Sequence, residues 1–245
     1  MSNLLLSEPD RINLDLQELN HRFATAHPRN ILSWCRENIP ENLVQSSAFN
    51  VNGMVIMHIL YQDLKVDPPV PVLFVDTLHH FSETLTLVRK ATEVYGLNLK
   101  VYHVQDADSQ EAFAARYGEE LWNKDVDKFH QLTKVEPLER GLIELNTVAW
   151  ITGRRHDQSA TRANISIFQL DKKGRLKINP LAHWTNKDVW NYVAKHHVIY
   201  NPLHDQGYTS IGDEPLTTKV IPGEHERAGR WRGTNKTECG IHTLV

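Results

Sequence analysis

A doubly wound α/β domain with a mostly parallel sheet is the fold class this sequence predicts, and three observations carry that prediction. Short, nearly all-apolar runs such as Val70-Pro71-Val72-Leu73-Phe74-Val75 and Val148-Ala149-Trp150-Ile151-Thr152 read as strands covered on both faces. Longer segments with apolar residues at helical spacing alternate with them, the pattern of helices on both sides of a parallel sheet. At 245 residues, 40% of them hydrophobic, the chain has the size of one large α/β domain with at most a small extension.

Residues 1–40 read as a helical preface. Leu14, Leu16, Leu19 and Phe23 form an apolar stripe, and Ile31, Leu32, Trp34, Cys35 and Ile39 predict a second helix after Pro28, with Cys35 a buried structural thiol. An α/β nucleotide-binding domain is expected over 41–200. Its first strand spans 43–49, followed by a turn at Asn50-Val51-Asn52-Gly53 and an apolar helix over 54–64. The second strand closes at Asp76-Thr77, and Ser82 opens a helix that Gly96 ends. A third strand over 98–104 alternates Leu99, Val101 and His103, and polar helices occupy about 108–146. The fourth strand runs directly into Gly153-Arg154-Arg155, and 165–178 reads as a hairpin across Lys172-Lys173-Gly174. Thr185 caps a last helix with Val189, Trp190, Val193 and His197 on one face. From 201 to 245 the glycines and prolines arrive without a period, which predicts an irregular, mobile segment with functional side chains.

Composition narrows the function. The formal net charge of −3 argues against a general nucleic-acid binder, while local basic clusters still suit a small anion. Leu4-Leu5-Leu6 is too short for a secretion signal, and no apolar run approaches the ~18 residues of a membrane span. A cytoplasmic, reducing compartment is expected, with the two cysteines as thiols.

In doubly wound sheets, ligands bind beyond the carboxyl ends of the strands. That rule selects three stretches. Ser46-Ser47-Ala48-Phe49-Asn50-Val51-Asn52-Gly53 combines a strand end, small polar residues and a helix start, which suits a phosphate, though alone it also fits an ordinary βα turn. Asp76-Thr77 ends the second strand. Gly153-Arg154-Arg155, with Gln158 and Arg162 following, sets guanidinium groups where an anion would lie. A second basic run, Arg227, Arg230, Arg232 and Lys236, precedes Cys239, so two clusters suit a ligand charged at both ends. Cys239 acts as a nucleophile only as a thiolate, and Lys236, His242 and nearby arginines are the expected sources of positive charge; Glu238 opposes them unless it turns away. Zinc is a poor fit, because Cys239 and His242 alone cannot build a structural site.

Lys236-Thr237-Glu238-Cys239-Gly240-Ile241-His242 resembles the signature tail of the phosphoadenylyl-sulfate (PAPS) reductases. The resemblance extends over nearly the whole chain from about Gln45. It runs through Val75-Asp76-Thr77-Leu78-His79-His80-Phe81, Lys134-Val135-Glu136-Pro137, Gly153-Arg154-Arg155 with Gln158-Ser159, and Tyr208-Thr209-Ser210-Ile211-Gly212-Asp213. Glu226-Arg227-Ala228-Gly229-Arg230-Trp231 resembles fungal-type members. The resemblance implies a Rossmann-like adenine-nucleotide α-hydrolase (PP-loop) fold and reduction of PAPS to sulfite and adenosine 3′,5′-bisphosphate in assimilatory sulfate reduction, which feeds cysteine and methionine biosynthesis. It implies Cys239, His242 and Lys236 as catalytic residues. Ser46, Ser47, Phe49, Asp76, Thr77, Lys134, Gly153, Arg154, Arg155, Gln158, Arg162, Arg227 and Arg230 are the implied substrate contacts. Thioredoxin (or glutaredoxin) is the implied electron donor and a homodimer the implied assembly, with no metal, membrane or nucleic-acid partner.

Cysteine count separates close relatives. The branch that reduces adenylyl sulfate carries an iron–sulfur cluster, typically on four thiolates; two cysteines cannot hold one, so the 3′-phosphorylated substrate is expected. The implied chemistry is attack of the Cys239 thiolate on the substrate sulfur, then release of sulfite from S-sulfocysteine by the donor's thiol. The competing expectations are an ATP-splitting adenylating enzyme on the same fold and a non-catalytic sulfonucleotide-binding module. One departure stands out: family members usually have glycine where this chain has Asn50, and if the position needs positive φ, asparagine is the next-best residue.

Overall fold

The sheet forms where the apolar runs predict it. A computed structural model describes residues 14–39, 41–234 and 236–244. The Leu4-Leu5-Leu6 stretch lies outside the described residues. Six strands, β1 (Leu43–Ser46), β2 (Val72–Val75), β3 (Leu99–Tyr102), β4 (Ala149–Ile151), β5 (Phe168–Leu170) and β6 (Leu176–Ile178), make one sheet in the order β3-β2-β1-β4-β6-β5. All neighbours run parallel except the β5–β6 hairpin. Gln45 of β1 sits in register with Val72 on one side and Ile151 on the other, so β1 is central. The chain winds outward from β1 through β2 and β3, then returns to continue through β4. That reversal opens a crevice at the carboxyl ends of β1 and β4, the switch point where ligands bind in such sheets.

Helices cover both faces. α1 (Leu16–Phe23), capped by Asp15, and α2 (Pro28–Asn38) pack over the hairpin: the rings of Phe23 and Trp34 lie 5.6 and 5.4 Å from that of Phe168. The helical preface therefore shares the main core, and Cys35 is fully buried in it. α3 (Val51–His58) is apolar on all sides and buried along nearly its whole length, then continues as a π-helical turn over Ile59–Asp63. α4 (Ser82–Tyr95) ends at Gly96 with φ +63°, a left-handed stop that glycine takes without strain.

After β3 come α5 (Gln110–Tyr117), α6 (Leu121–Lys124) and α7 (Val126–His130). A π-helical turn, Gln131–Val135, then leads into α8 (Glu136–Glu144). α9 (Asn186–His196) starts at the Thr185 capping box. The last segment holds short 3₁₀ turns, two isolated bridges (His80 to Asp213 and Thr217 to Arg230) and α10 (Ile241–Leu244).

Five local expectations need correction. β1 stops at Ser46, not Phe49, and residues 51–53 belong to α3, not to a turn. Asn50 has φ −70° and is the N-cap of α3, its side chain accepting from the Gly53 N–H; the positive φ, +54°, belongs to Phe49. β3 covers Leu99–Tyr102 and not 98–104, so His103 lies beyond it; it is an edge strand, and Val101 is 49% exposed. His197 leaves the buried face of α9 as well, because it adopts a left-handed conformation that ends the helix.

Candidate active site

The loop after β1 is built by local hydrogen bonds. Ser47 Oγ accepts the Phe49 N–H at 3.1 Å, and Asn50 Oδ1 accepts the Gly53 N–H at 2.9 Å. Phe49 is held at positive φ by its ring, buried edge-on against Phe74 with centroids 5.3 Å apart. A Cβ at Gly53 would press on Ser47 Oγ and turn that hydroxyl off the Phe49 N–H. The loop after β4 is stitched to this one: Asn52 Nδ2 donates to the Gly153 carbonyl at 2.8 Å. Two strand-end loops thus present the amino end of α3, with its free N–H groups, to the crevice.

Arg155 is the tie behind this wall. It is fully buried, and its guanidinium donates to Asn52 Oδ1 at 2.6 Å, Asp157 at 2.9 Å and Glu226 at 2.5 Å. It links α3, the β4 loop and the C-terminal segment, and its donors point at protein acceptors.

The crevice is a cavity of about 150 Å³. Ser46, Ser47, Thr77, Gly153, Arg154 and Gln158 form its floor at the strand ends, and Lys134, Arg162, Arg227 and Arg230 surround it. Cys239 and His242 come to the same cavity from the tail. Four expected residues are not on its wall: Phe49, Asp76, Arg155 and Lys236. Asp76 shapes the turn by accepting the Leu78 N–H at 2.9 Å, and Lys236 pairs with exposed Asp127.

The tail is docked over the cavity. Ile241 packs against the buried cluster that includes Val44, Val135 and Trp150, and the His242 ring stacks on Trp150 with centroids 5.9 Å apart. Glu238 turns away from the thiol: Arg162 donates to its carboxylate through Nε and Nη2, both at 2.8 Å, and Arg227 adds a contact at 3.4 Å. Burial pushes the Glu238 carboxyl up, but the Arg162 bonds and the charges of Arg162 and Arg227 outweigh it, leaving the pKa below the usual range. His242 is not a source of positive charge. Burial, with Lys177, Arg154, Arg162 and Arg227 around it, holds its pKa well below the ordinary value, so the ring is neutral. Arg227 and Arg230 share the cavity wall with Cys239; burial lowers both, and both guanidinium groups lie over the Trp231 ring, at 5.3 and 4.5 Å from its centre. Arg227 is pulled down to about 10, still a cation at neutral pH.

Sequence reasoning passed over a buried network behind Lys134. Asp213 is fully buried and pairs with Lys134, with His130 Nε2 3.5 Å from the same carboxylate. Burial alone would raise the Asp213 pKa, yet the Lys134 charge and His130 bring it well below the carboxylate range. His130, lowered to about 4 chiefly by burial, accepts the Trp231 indole N–H at 3.3 Å. The π-helical turn that carries Lys134 is the kind of helix irregularity that often marks functional positions. Lys177 of β6 was missed too; it is buried, with its ammonium 4.4 Å from the centre of the Trp150 ring. Only the Asp213 position carried a signal, within the Tyr208–Asp213 motif.

Residues 42–219 match the model of the phosphoadenosine phosphosulfate reductase domain. A probable phosphoadenosine phosphosulfate reductase of Schizosaccharomyces pombe is 44% identical over 93% of this chain and 84% of its own. An adenosine 5′-phosphosulfate reductase of Shouchella clausii is 39% identical over 93% of this chain and 92% of its own. Among solved structures, PAPS reductase from Candida auris in a phosphate complex superposes with a TM-score of 0.77 at 36% identity, covering 86% of this chain and all of that one. The FMN adenylyltransferase of Candida glabrata, at 16% identity over 96% of this chain and 79% of its own with a TM-score of 0.57, shares the fold alone.

Proposed function

Because the chain belongs to the phosphoadenosine phosphosulfate reductase family and is an enzyme of that type on a Rossmann-like adenine-nucleotide α-hydrolase fold, we propose that Cys239 is the nucleophile that takes the sulfuryl group from PAPS. The observation that supports this most is the meeting of Cys239 with Lys134, Arg227 and Arg230 in one cavity at the sheet's switch point. The nucleotide lies over the β1 and β4 loops, with its 5′-phosphate at the amino end of α3. Ser46, Ser47 and Gly153 approach its oxygens, and Thr77 and Gln158 complete the floor. Lys134, held by Asp213, and Arg230 face the sulfuryl group.

The Cys239 thiolate attacks sulfur, the S–O bond to phosphorus breaks, and the electron pair leaves with adenosine 3′,5′-bisphosphate. The surrounding cations stabilise charge on that leaving phosphate. S-sulfocysteine remains. One thiolate of a dithiol donor then attacks Cys239 Sγ and expels sulfite with the bonding pair, and the donor's second thiol resolves the mixed disulfide. The donor ends as a disulfide, having supplied two electrons and the Cys239 proton. Thioredoxin, or glutaredoxin, is the donor we assign. The tail that carries Cys239, held by the Glu238 contacts to Arg162 and Arg227, must swing clear for it, a lid-type step. We assign the enzyme to a homodimer and to the cytoplasm, the compartment being in keeping with Cys35 and Cys239 as free thiols.

The test is intact-mass spectrometry after incubation with PAPS and no donor. One sulfonate adduct, localised to Cys239 and absent in Cys239→Ser, is expected. Cleavage of ATP without an adduct would instead identify an adenylating enzyme, and binding without either product a sensor.

A further inference from the structure

Arginines around the tail are held in different ways. Arg155 is bound by Asp157 and Glu226, and Arg162 and Arg227 both reach Glu238. Arg230, on the cavity wall, forms no ion pair with a carboxylate among the described residues. Its Nη1 donates to the Ile211 carbonyl at 3.3 Å, and its Nε is buried without a hydrogen-bond partner. Hydrogen bonds therefore fix this side chain poorly, although a cation that acts on a reacting group must be held in one orientation.

Two neighbours supply what the hydrogen bonds do not. The Arg230 guanidinium lies over the Trp231 ring, 4.5 Å from its centre. Gly212 is the second boundary, since a Cβ there would collide with Nη2 and Cζ of Arg230. Trp231 is itself firmly placed. It is 2% exposed, and its φ of +50° is one that a bulky residue rarely adopts. Such a backbone persists only where the surroundings over-determine it. Here the Trp231 N–H donates to the Leu216 carbonyl at 3.0 Å, and its carbonyl accepts the Thr234 N–H at 3.0 Å and hydroxyl at 2.8 Å. The indole N–H donates to His130 Nε2 at 3.3 Å. Cys239 packs against the same buried cluster as Trp231, so ring, guanidinium and thiol meet at one cavity.

An aromatic face suits this task better than a carboxylate. Its quadrupole attracts a guanidinium without cancelling the charge or occupying the N–H donors. A carboxylate does both, as Asp157 and Glu226 do at Arg155. Resting on the reaction proposed above, we infer that Trp231 is a positioning residue: its ring, with Gly212 beside it, aims an unneutralised Arg230 at the sulfuryl group that Cys239 attacks. Arg227 shares the ring at 5.3 Å but has Glu238 as well, so Arg230 is the side chain that depends on it.

The test measures the single-turnover rate at which PAPS sulfonates Cys239 without donor, beside calorimetric binding of adenosine 5′-monophosphate, which has no sulfuryl group. Trp231→Leu should slow sulfonation at saturating PAPS about 10- to 100-fold, with monophosphate affinity within about twofold of wild type. Trp231→Phe keeps an aromatic face and loses the indole N–H, so its rate should return to within about fivefold of wild type. Gly212→Ala leaves Trp231 intact and should slow sulfonation about tenfold by displacing Arg230. Melting temperatures without ligand check that each variant folds. Trp231→Phe as slow as Trp231→Leu would make the bond to His130 the important one and overturn the platform. Monophosphate affinity that falls in step with the rate would mark general damage and overturn it too. A Gly212→Ala rate within about twofold of wild type also overturns it, even if Trp231→Leu does not fold. Wild-type protein that binds the monophosphate but forms no adduct overturns the proposed reaction itself, and the positioning role with it.

Discussion

Replacing Glu238 with glutamine removes one charge from the clasp that docks the tail. In the folded chain the Glu238 carboxylate accepts two Arg162 bonds at 2.8 Å, with Arg227 at 3.4 Å and the Thr161 hydroxyl at 3.0 Å. Both side chains of the main pair are largely buried, 9% and 14% exposed, so solvent screens the pair little. Hydrogen bonds to charged groups contribute about 1.5–3 kcal/mol, against roughly 1 for neutral ones, and two are weakened at once. A loss of about 2–3 kcal/mol in docking follows, which is about a 30- to 150-fold rise in the undocked fraction. Hydrogen exchange at the amides of 237–242 reads that fraction directly, because exchange requires local opening. Exchange faster by roughly that factor is expected, with the β-sheet amides unchanged. Rates within about threefold of wild type would refute the clasp. Acid should mimic the mutation in the wild type. The Glu238 pKa is depressed by docking, so the contribution is present above the free carboxyl value of about 4.3 and is lost as pH falls through the lower docked value.

Two further outcomes test the scaffold under the site. Since Asn50 is a helix cap at negative φ, Asn50→Ala should cost about 1 kcal/mol in urea unfolding and Asn50→Gly only a few tenths. Asp213→Asn strands Lys134 as a buried unpaired cation and should cost about 3–5 kcal/mol, while adding Lys134→Met should recover part of the loss; a strictly additive double mutant would deny the pairing.

Much of the fold was readable because strand and helix periods differ. The apolar runs at 70–75 and 148–152 could only be strands covered on both sides, and both are central or next to central in the sheet. Thr185 and Gly96 marked helix ends through chemistry that acts within one turn. Errors arose where the environment decides. Val101 has the side chain of a buried strand residue, but β3 has a neighbour on one side only. Asn50 was measured against a glycine-type backbone, when the neighbouring Phe49 takes the positive φ because its ring is anchored on Phe74.

By itself the sequence determined the fold class, the three strand-end loops, and a tail cysteine among basic residues, because each depends on residues close along the chain. Tertiary structure decided how those charges are used. Adjacent arginines Arg154 and Arg155 look equivalent in sequence, yet one lines the cavity with an unpaired nitrogen and the other is consumed by Asn52, Asp157 and Glu226. His242 and Lys236 flank Cys239 alike, but burial among cations leaves one neutral and Asp127 holds the other off the wall. A charge's role depends on desolvation and on partners many residues away, and those are settled only when the chain has folded.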